Sequence, residues 1–143
     1  MAIQNQVFIR FTSLSENVGL ARVVAAAFAA QIDFTLNEIE EIKVAVSEAV
    51  SNCVIHGYDN KSGEIEFTMN LYLDRLEYII TDFGKGIDNV DQARQPSFSS
   101  DPERMGLGFV FMESFMDELD VTSELGMGTK VRMIKKFEQK KSH

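Results

Sequence analysis

The sequence predicts an α/β fold: a two-layer α/β sandwich in which a mixed, mostly antiparallel sheet carries helices on one face. Two observations predict it. Strand-like runs stand at the start and again in the second half of the chain, while two long helical segments occupy the interval between them. The 143 residues, 45% of them hydrophobic and 25% charged, have the size and balance of one domain with its own core. We expect that single domain to span residues 1–143.

Charge and composition narrow the class of partner. The formal net charge is −8 and the sequence pI about 4.7, which opposes non-specific attachment to nucleic acid or to an anionic membrane. The first residues have no basic start followed by an apolar core, and no apolar run approaches about 18 residues. The single cysteine, Cys53, is expected to pack in a helix rather than to react. We therefore expect a cytoplasmic protein that binds other proteins or a small ligand.

The first two elements are a short strand and an alanine-rich helix. The run V-F-I-R-F, Val7 to Phe11, predicts the strand. Ser15 is expected to cap a helix from about Glu16 to Gln31. The small residues that favour this helix and permit close approach to a neighbour are Ala21, Ala25, Ala26, Ala27, Ala29 and Ala30.

The second helix has a strong start signal. The pattern T-L-N-E, Thr35 to Glu38, predicts a capping box, in which hydroxyl and carboxyl satisfy the free amides of the helix start. A helix of about 20 residues is expected from there. Its apolar face comprises Ile39, Ile42, Val46, Ala49, Val50 and Cys53.

A polar stripe borders that apolar face. In the stretch E-A-V-S-N-C-V-I-H-G-Y the residues Glu48, Asn52 and His56 recur every four positions. Each step of four turns only about 40° on a helix, so the three side chains share one side. From the spacing alone, Glu48 is either a solvated helix acid or a catalytic carboxylate.

The second half of the chain reads as strands around a long loop. Strands are expected at Glu64–Leu73 and Leu76–Thr81, joined as a hairpin at Asp74-Arg75. The stretch Asp82–Gly108 holds both prolines and little periodicity, which is typical of a functional loop. The remaining predicted elements are a helix near Leu107–Met116 and strands near Leu119–Ser123 and Thr129–Phe137.

Three glycine signals accompany that loop. They are D-F-G-K-G from Asp82 to Gly86, G-L-G from Gly106 to Gly108, and G-M-G-T from Gly126 to Thr129. Each alone is weak, because glycine pairs mostly mark tight turns. Their order is more informative: an acid at a strand end, then a loop, then glycines opening a helix whose free amides can bind phosphate.

The ordered motifs E-A-x-x-N-x-x-x-H, D-x-G-x-G, G-x-G and G-T resemble the four nucleotide-binding boxes of the Bergerat-fold ATPase and kinase superfamily. That superfamily groups DNA gyrase, the Hsp90 chaperones, histidine kinases and the mismatch-repair protein MutL. The stretches VSEAVSNCVIHGY, DQARQPSFSS, GLGFVFMESFMDELDV and FTSLSENVGLARVVAAAF are most similar to its small serine kinases that act as anti-sigma factors in spore-forming bacteria. The likeness runs from about Phe8 to Val131.

The resemblance implies an ATP and Mg²⁺ site with particular roles. Asn52 corresponds to the Mg²⁺ ligand, and an amide oxygen is a suitable hard donor. Glu48 corresponds to the general base that takes a proton from the attacking hydroxyl. Asp82 corresponds to the acceptor of the adenine exocyclic amine. Gly84 and Gly86 would let the backbone pass close beside the base.

The resemblance also implies a lid over the phosphates. Thr129 corresponds to a hydroxyl residue that supports the adenine contact, although a plain strand threonine is an alternative. The loop from about Asp91 to Met105 corresponds to the ATP lid, with Gly106 and Gly108 providing amides over the phosphates. Arg104 either reaches the γ-phosphate or faces solvent.

Partners follow from the same resemblance. It implies that the chain binds a sigma factor of the sporulation sigma F type and phosphorylates an anti-anti-sigma protein on serine. A homodimer is expected from the resemblance and from the free edge that the strand Val7–Phe11 would leave. Arg22, on the predicted first helix, is expected to contact both partners; the alternative is a solvated arginine.

Two alternatives to this function stay open. One is a stress-response anti-sigma kinase of the same family, and the other is a nucleotide-regulated binding module with negligible catalysis. Glu48 favours the kinase, since a pure binder needs only Asn52 and Asp82. Lys85 has no assigned contact, and His56 is expected to be a structural imidazole.

Overall fold

The computed structural model describes residues 2–95 and 104–138, with the backbone alone at Arg104. Within these ranges the chain forms one five-stranded sheet and a set of helices. In chain order the elements are β1 (Asn5–Thr12), α1 (Glu16–Ala29), α2 (Leu36–Asn52), a π-turn (Cys53–Gly57), β2 (Glu64–Leu71), β3 (Arg75–Asp82), α3 (Val90–Ala93), α4 (Arg104–Phe115), β4 (Glu118–Glu124) and β5 (Gly128–Lys136).

The strand order is β1-β2-β3-β5-β4, and all four pairings between neighbours are antiparallel. The predicted α/β class with its mostly antiparallel sheet is confirmed. Since β5 lies between β3 and β4, the last residue of β3, Asp82, is paired directly with Thr129 near the start of β5. Two residues 47 positions apart thereby become neighbours at one end of the sheet.

The helices cover one face of the sheet and bury a continuous core against it. Tyr78, at the centre of β3, is 0% exposed and donates a hydrogen bond of 2.9 Å to the carbonyl oxygen of Ala25 in α1. Burial raises the pKa of the Tyr78 hydroxyl well above its ordinary value. Ala21, Ala25 and Ala29 are each 0% exposed, so the small side chains let α1 pack closely.

The two helix starts differ from each other. At α2 the capping box is confirmed: the Thr35 hydroxyl accepts from the amide of Glu38 at 3.1 Å, and the Glu38 carboxylate accepts from the amide of Thr35 at 2.9 Å. At α1 the prediction that the Ser15 side chain caps the helix is wrong. Ser15 already has helical backbone angles, and its hydroxyl donates to the Glu16 carboxylate instead of accepting a backbone amide.

The face of the sheet without helices carries a polar chain that crosses all five strands. Gln6 donates to Asn70 at 2.7 Å, Asn70 to Glu77 at 2.8 Å, and Arg132 to both Glu77 and Asp120. Burial alone would raise the pKa of Glu77, but the bonds from Asn70 and Arg132 hold that pKa below its ordinary value. Glu77 is only 6% exposed, so its charge is neutralised by partners rather than by water.

Several boundaries depart from the prediction. The turn of the β2–β3 hairpin lies at Tyr72–Asp74, because β2 ends earlier than expected. The short helix α3 is absent from the prediction. The helix α4 begins at Arg104 rather than near Leu107, although its first turns contain Gly106 and Gly108 and glycine disfavours helix. Burial of Phe109 and Met112 against the core outweighs that propensity. None of the described helices is long and apolar enough to cross a membrane.

Candidate functional site

A buried carboxylate closes the end of β3. Asp82 is 3% exposed, and its Oδ1 accepts from the amides of Gly84 at 2.9 Å and Thr129 at 3.3 Å. Burial raises the pKa of Asp82, while these two amides and the thiol of Cys53 act in the opposite direction. The sheet end therefore presents a fixed, water-shielded hydrogen-bond acceptor.

The opposite wall is the polar stripe of α2. Glu48 and Asn52 lie one turn apart in the α-helix, and His56 follows in the π-turn, where it is 7% exposed. The side-chain nitrogen of Asn52 is buried and has no hydrogen-bond partner within the described residues. A buried donor without a partner costs free energy, which favours an incoming acceptor at this point.

Between the two walls lies a cavity of about 20 Å³, which is room for about one water molecule. Asn52 and His56 line it from α2 and the π-turn, Asp82 from the sheet, and Met105 and Phe109 from α4. Because α4 supplies two large apolar side chains to this space, the cavity is too small in this structure for a ligand as large as a nucleotide.

Two glycines allow the walls to approach each other. A Cβ on Gly84 would lie 2.0 Å from the carbonyl oxygen of Gly57, so no other residue fits against the π-turn. A Cβ on Gly108 would lie 2.9 Å from Oε2 of Glu48 and 3.6 Å from the Asn52 side chain. The missing side chain at 108 thus leaves the space in which the Glu48 carboxylate and the Asn52 amide face α4.

The remaining predicted glycines pack against backbone. Gly86 has φ +77° and lies against the carbonyl of Glu124, and Gly106 lies against the carbonyl of Gln95. Gly106 and Gly108 both lie inside α4. In an α-helix the amide of the fifth residue bonds to the carbonyl of the first, so the amide of Gly108 pairs with the carbonyl of Arg104. The side chain of Arg104 and residues 96–103 of the predicted lid lie outside the described residues.

Two other predicted side chains lie away from the cavity. The ammonium of Lys85 is 2.8 Å from the Asp59 carboxylate on the outer turn. Arg22 is exposed on α1 and lines a separate groove that it shares with Glu48. The structure therefore places Asn52, Asp82 and Thr129 around the cavity, and Glu48 between the cavity wall and this groove.

Sequence reasoning missed two residues that support the acceptor. The Tyr58 hydroxyl donates to the carbonyl of Glu64 at 2.6 Å and accepts from the amide of Phe83 at 2.7 Å, which ties the end of β3 to the π-turn. The Ser123 hydroxyl bonds the Thr129 hydroxyl at 2.8 Å and accepts from the amide of Ile87 at 2.7 Å. No local pattern signals Ser123, because only strand pairing brings it to Thr129.

This set of groups fits an adenine nucleotide with Mg²⁺. The Asp82 carboxylate is an acceptor in the cavity lining, and the Asn52 nitrogen, which has no partner among the described residues, can donate to a phosphate oxygen. An amide oxygen on the same side chain is a ligand that Mg²⁺ accepts when phosphates and waters complete its coordination. The roles of the individual residues remain predictions.

Comparison with known proteins yields one family and a consistent group of relatives. The histidine kinase-like ATPase domain family matches residues 11–135. The anti-sigma F factor of Clostridium beijerinckii is 50% identical over 136 residues, covering 93% of this chain and 95% of the relative. The anti-sigma F factor of Anoxybacillus flavithermus is 46% identical over 143 residues, covering 98% of each chain. That of a Thermoanaerobacter species is 48% identical over 137 residues, covering 94% and 96%.

Proposed function

Because the chain belongs to the anti-sigma F factors and carries their histidine kinase-like ATPase domain, we propose that it is an ATP-dependent protein serine kinase that restrains a sigma factor. It binds a sigma factor of the sigma F type and phosphorylates an anti-anti-sigma protein on serine. The whole chain acts as one domain, in the cytoplasm, where its transcription partner resides. The single observation that carries the catalytic part is the position of Glu48 beside Asn52 and against Gly108.

Adenine recognition is assigned to Asp82. Its carboxylate is held by two backbone amides, so it can accept from the exocyclic amine of adenine in one fixed direction. Guanine presents a carbonyl oxygen at the equivalent position, which a carboxylate repels. Thr129 and Ser123 hold the neighbouring strand in register and support this contact.

Metal binding is assigned to Asn52. Mg²⁺, when bound, neutralises charge on the triphosphate and orients it. The Asn52 oxygen would be a protein ligand, and its nitrogen, which has no partner among the described groups, would donate to a phosphate oxygen. Gly106 at the start of α4 and the lid that precedes it would close over the phosphates.

Proton transfer is assigned to Glu48. A serine hydroxyl is a weak nucleophile at neutral pH, and a carboxylate within hydrogen-bond reach can accept its proton as the bond to phosphorus forms. This contribution is typically on the order of 10²- to 10⁴-fold in rate. The alternative of a nucleotide-regulated binder without catalysis needs no carboxylate at this position.

The decisive experiment replaces Glu48 by glutamine and follows a single turnover with labelled ATP and an anti-anti-sigma protein. Glu48→Gln keeps the shape and removes the base, so phosphate transfer should fall by at least about 100-fold while Mg-ATP and sigma binding persist. Glu113→Gln, at a helix carboxylate that is 68% exposed and far from Asn52 in sequence, is the matched control. A Glu48→Gln rate within about threefold of wild type would favour the binding module.

Partner binding is assigned to the exposed face of α1. Arg22 is exposed and forms no salt bridge with a carboxylate in the described part of the chain, so its charge is available to an acidic partner. Both the sigma factor and the anti-anti-sigma protein would use it, and one would thereby displace the other. A homodimer would place two such surfaces in one assembly.

A further inference from the structure

The hydroxyl of Ser123 joins three segments of the chain at the end of the sheet. Ser123 lies on β4 and is paired with Thr129 on β5. Its oxygen is 2.7 Å from the amide nitrogen of Ile87, 2.9 Å from the carbonyl oxygen of Gly128 and 2.8 Å from the hydroxyl oxygen of Thr129. Thr129 and Ile87 line the cavity of the candidate site, whereas Ser123 does not. Any effect of Ser123 on a ligand in the cavity is therefore transmitted by the residues that it holds.

The three neighbours of this hydroxyl fix the direction of each hydrogen bond. A backbone amide can only donate and a carbonyl oxygen can only accept, while a serine hydroxyl has one proton and two lone pairs. Ser123 therefore accepts from Ile87 and gives its single proton to Gly128. Only its second lone pair is left for Thr129, so the Thr129 hydroxyl is the donor in the bond between the two hydroxyls.

This bond makes Thr129 an acceptor towards the cavity. With its proton directed at Ser123, the Thr129 hydroxyl keeps both lone pairs for other groups. The backbone amide of Thr129 donates to Oδ1 of Asp82 at 3.3 Å, and the two residues are direct partners in the pairing of β3 with β5. The sheet side of the cavity thus presents two neighbouring acceptors, which suit an amino group with two N–H bonds and repel a carbonyl oxygen.

We propose that Ser123 is a positioning residue for nucleotide selection: it holds the Thr129 hydroxyl as an acceptor, so that the site rejects purines with an oxygen at position 6. This inference rests on the adenine role proposed above for Asp82. The 6-amino group of adenine would donate one proton to Asp82 and direct the other towards Thr129. Without Ser123 the Thr129 hydroxyl can rotate and donate to a 6-oxo group, which weakens the rejection.

Calorimetric titration with Mg-ATP and Mg-ITP measures this selection, because ITP has an oxygen at position 6 and lacks the 2-amino group of GTP. Ser123→Ala should lower the ratio of ATP affinity to ITP affinity at least about 10-fold, since the mismatched carbonyl gains a donor. Ser123→Thr retains the hydroxyl and should keep the wild-type ratio. Thr122→Ala, which removes an exposed hydroxyl from the same strand, is the matched control. A Ser123→Ala ratio within about threefold of wild type would overturn the proposal.

A double-mutant cycle tests whether Ser123 acts through Thr129. In a Thr129→Val background the hydroxyl that Ser123 holds is absent, so adding Ser123→Ala should leave the ratio of the two affinities unchanged. An equal fall of the ratio in both backgrounds would contradict the proposal, because Ser123 would then act without Thr129. Equal affinities of the wild type for ATP and ITP would instead contradict the adenine role of Asp82 itself.

Neutron diffraction from crystals of the free chain tests the hydrogen-bond directions without any substitution, so its result does not depend on the folding of the variants. We expect the exchanged deuterium of the Ser123 hydroxyl to point at the carbonyl oxygen of Gly128, and that of the Thr129 hydroxyl to point at Ser123. A Ser123 deuterium that points at Thr129 would overturn the proposal, since Thr129 would then have its own proton to offer to the cavity.

Discussion

At Asp82, the stability of the free protein conflicts with the proposed recognition of adenine. Its carboxylate is 3% exposed and lines the cavity, and burial raises its pKa. A charge kept there destabilises the free protein, although two amides and a thiol offset part of the cost. In the function proposed above, this unfavourable group is retained because adenine requires an acceptor at that point.

We predict that Asp82→Asn stabilises the free protein by roughly 1 kcal/mol at pH 7 while weakening discrimination between ATP and GTP. The amide oxygen can still accept from Gly84, and no charge has to be buried. Urea unfolding and calorimetric titration with both nucleotides measure the two effects. Lower stability together with unchanged selectivity would show that the carboxylate has a different role.

The pH dependence of that difference has a fixed sign. The folded-state pKa of Asp82 lies above its ordinary value of 3.8, so the folded chain holds the proton to higher pH than the unfolded chain does. Stability attributable to Asp82 therefore falls as pH rises from the unfolded through the folded pKa. The advantage of Asp82→Asn should be complete above the folded pKa of Asp82 and vanish below about pH 4.

The Mg²⁺ role proposed for Asn52 can be tested independently of the role proposed for Asp82. Asn52→Ala removes the oxygen proposed for Mg²⁺ and also the buried nitrogen that has no partner in the described ranges. We expect the Mg²⁺-dependent part of ATP binding to disappear without loss of stability, because the Asn52 nitrogen donates no hydrogen bond to any described residue of the free protein. Calorimetry with Mg²⁺ and with EDTA measures it, and wild-type Mg-ATP affinity in the variant would refute the metal assignment.

Among the elements, α2 carries both structure and proposed chemistry, and its start can be tested alone. Thr35→Ala removes one half of the capping box and should cost about 1 kcal/mol in the free energy of unfolding. Since Thr35 lies three turns or more from Glu48, phosphate transfer per folded molecule should not change. Ser15→Ala is the matched control: Ser15 makes no backbone cap, so its loss should cost much less.

The elements also show which features local sequence can predict. The capping box of α2 uses residues three apart, so the pattern Thr35–Glu38 was sufficient. The prediction for Ser15 is wrong because its backbone is already helical: the amides of Asn17 and Val18 donate to the carbonyls of Leu14 and Ser15. The π-turn at Cys53–Gly57 was not foreseen, since no residue type requires it.

Some residues of the candidate site can be predicted from local sequence motifs, and others cannot. The boxes around Asn52, Asp82 and Thr129 were predicted from motifs, and the structure brings these residues together around one cavity. Tyr58 and Ser123 were not predicted, because their partners are distant in sequence and meet them only through strand pairing and the π-turn. The family and the α/β class are confirmed, since both depend on patterns that span nearly the whole chain.

At the scale of the whole molecule, β1 is an edge strand whose outer side pairs with no other described strand. Phe8 on that strand is 50% exposed. We predict a homodimer, because a free edge with an exposed aromatic residue is a favourable surface for a second copy. Sedimentation at tens of micromolar, with and without nucleotide, measures it, and a monomer of 16.1 kDa under both conditions would contradict it.

The alkylation rate of the Cys53 thiol measures how often the cavity opens. The thiol is 3% exposed, and burial together with the neighbouring Asp82 raises its pKa well above its ordinary value, so the closed protein should resist alkylation at neutral pH. As the sequence contains one cysteine, labelling reports only those openings of the structure that expose Cys53 in the cavity wall. The rate at which a thiol reagent labels the native chain therefore gives the frequency of these openings, without any introduced probe.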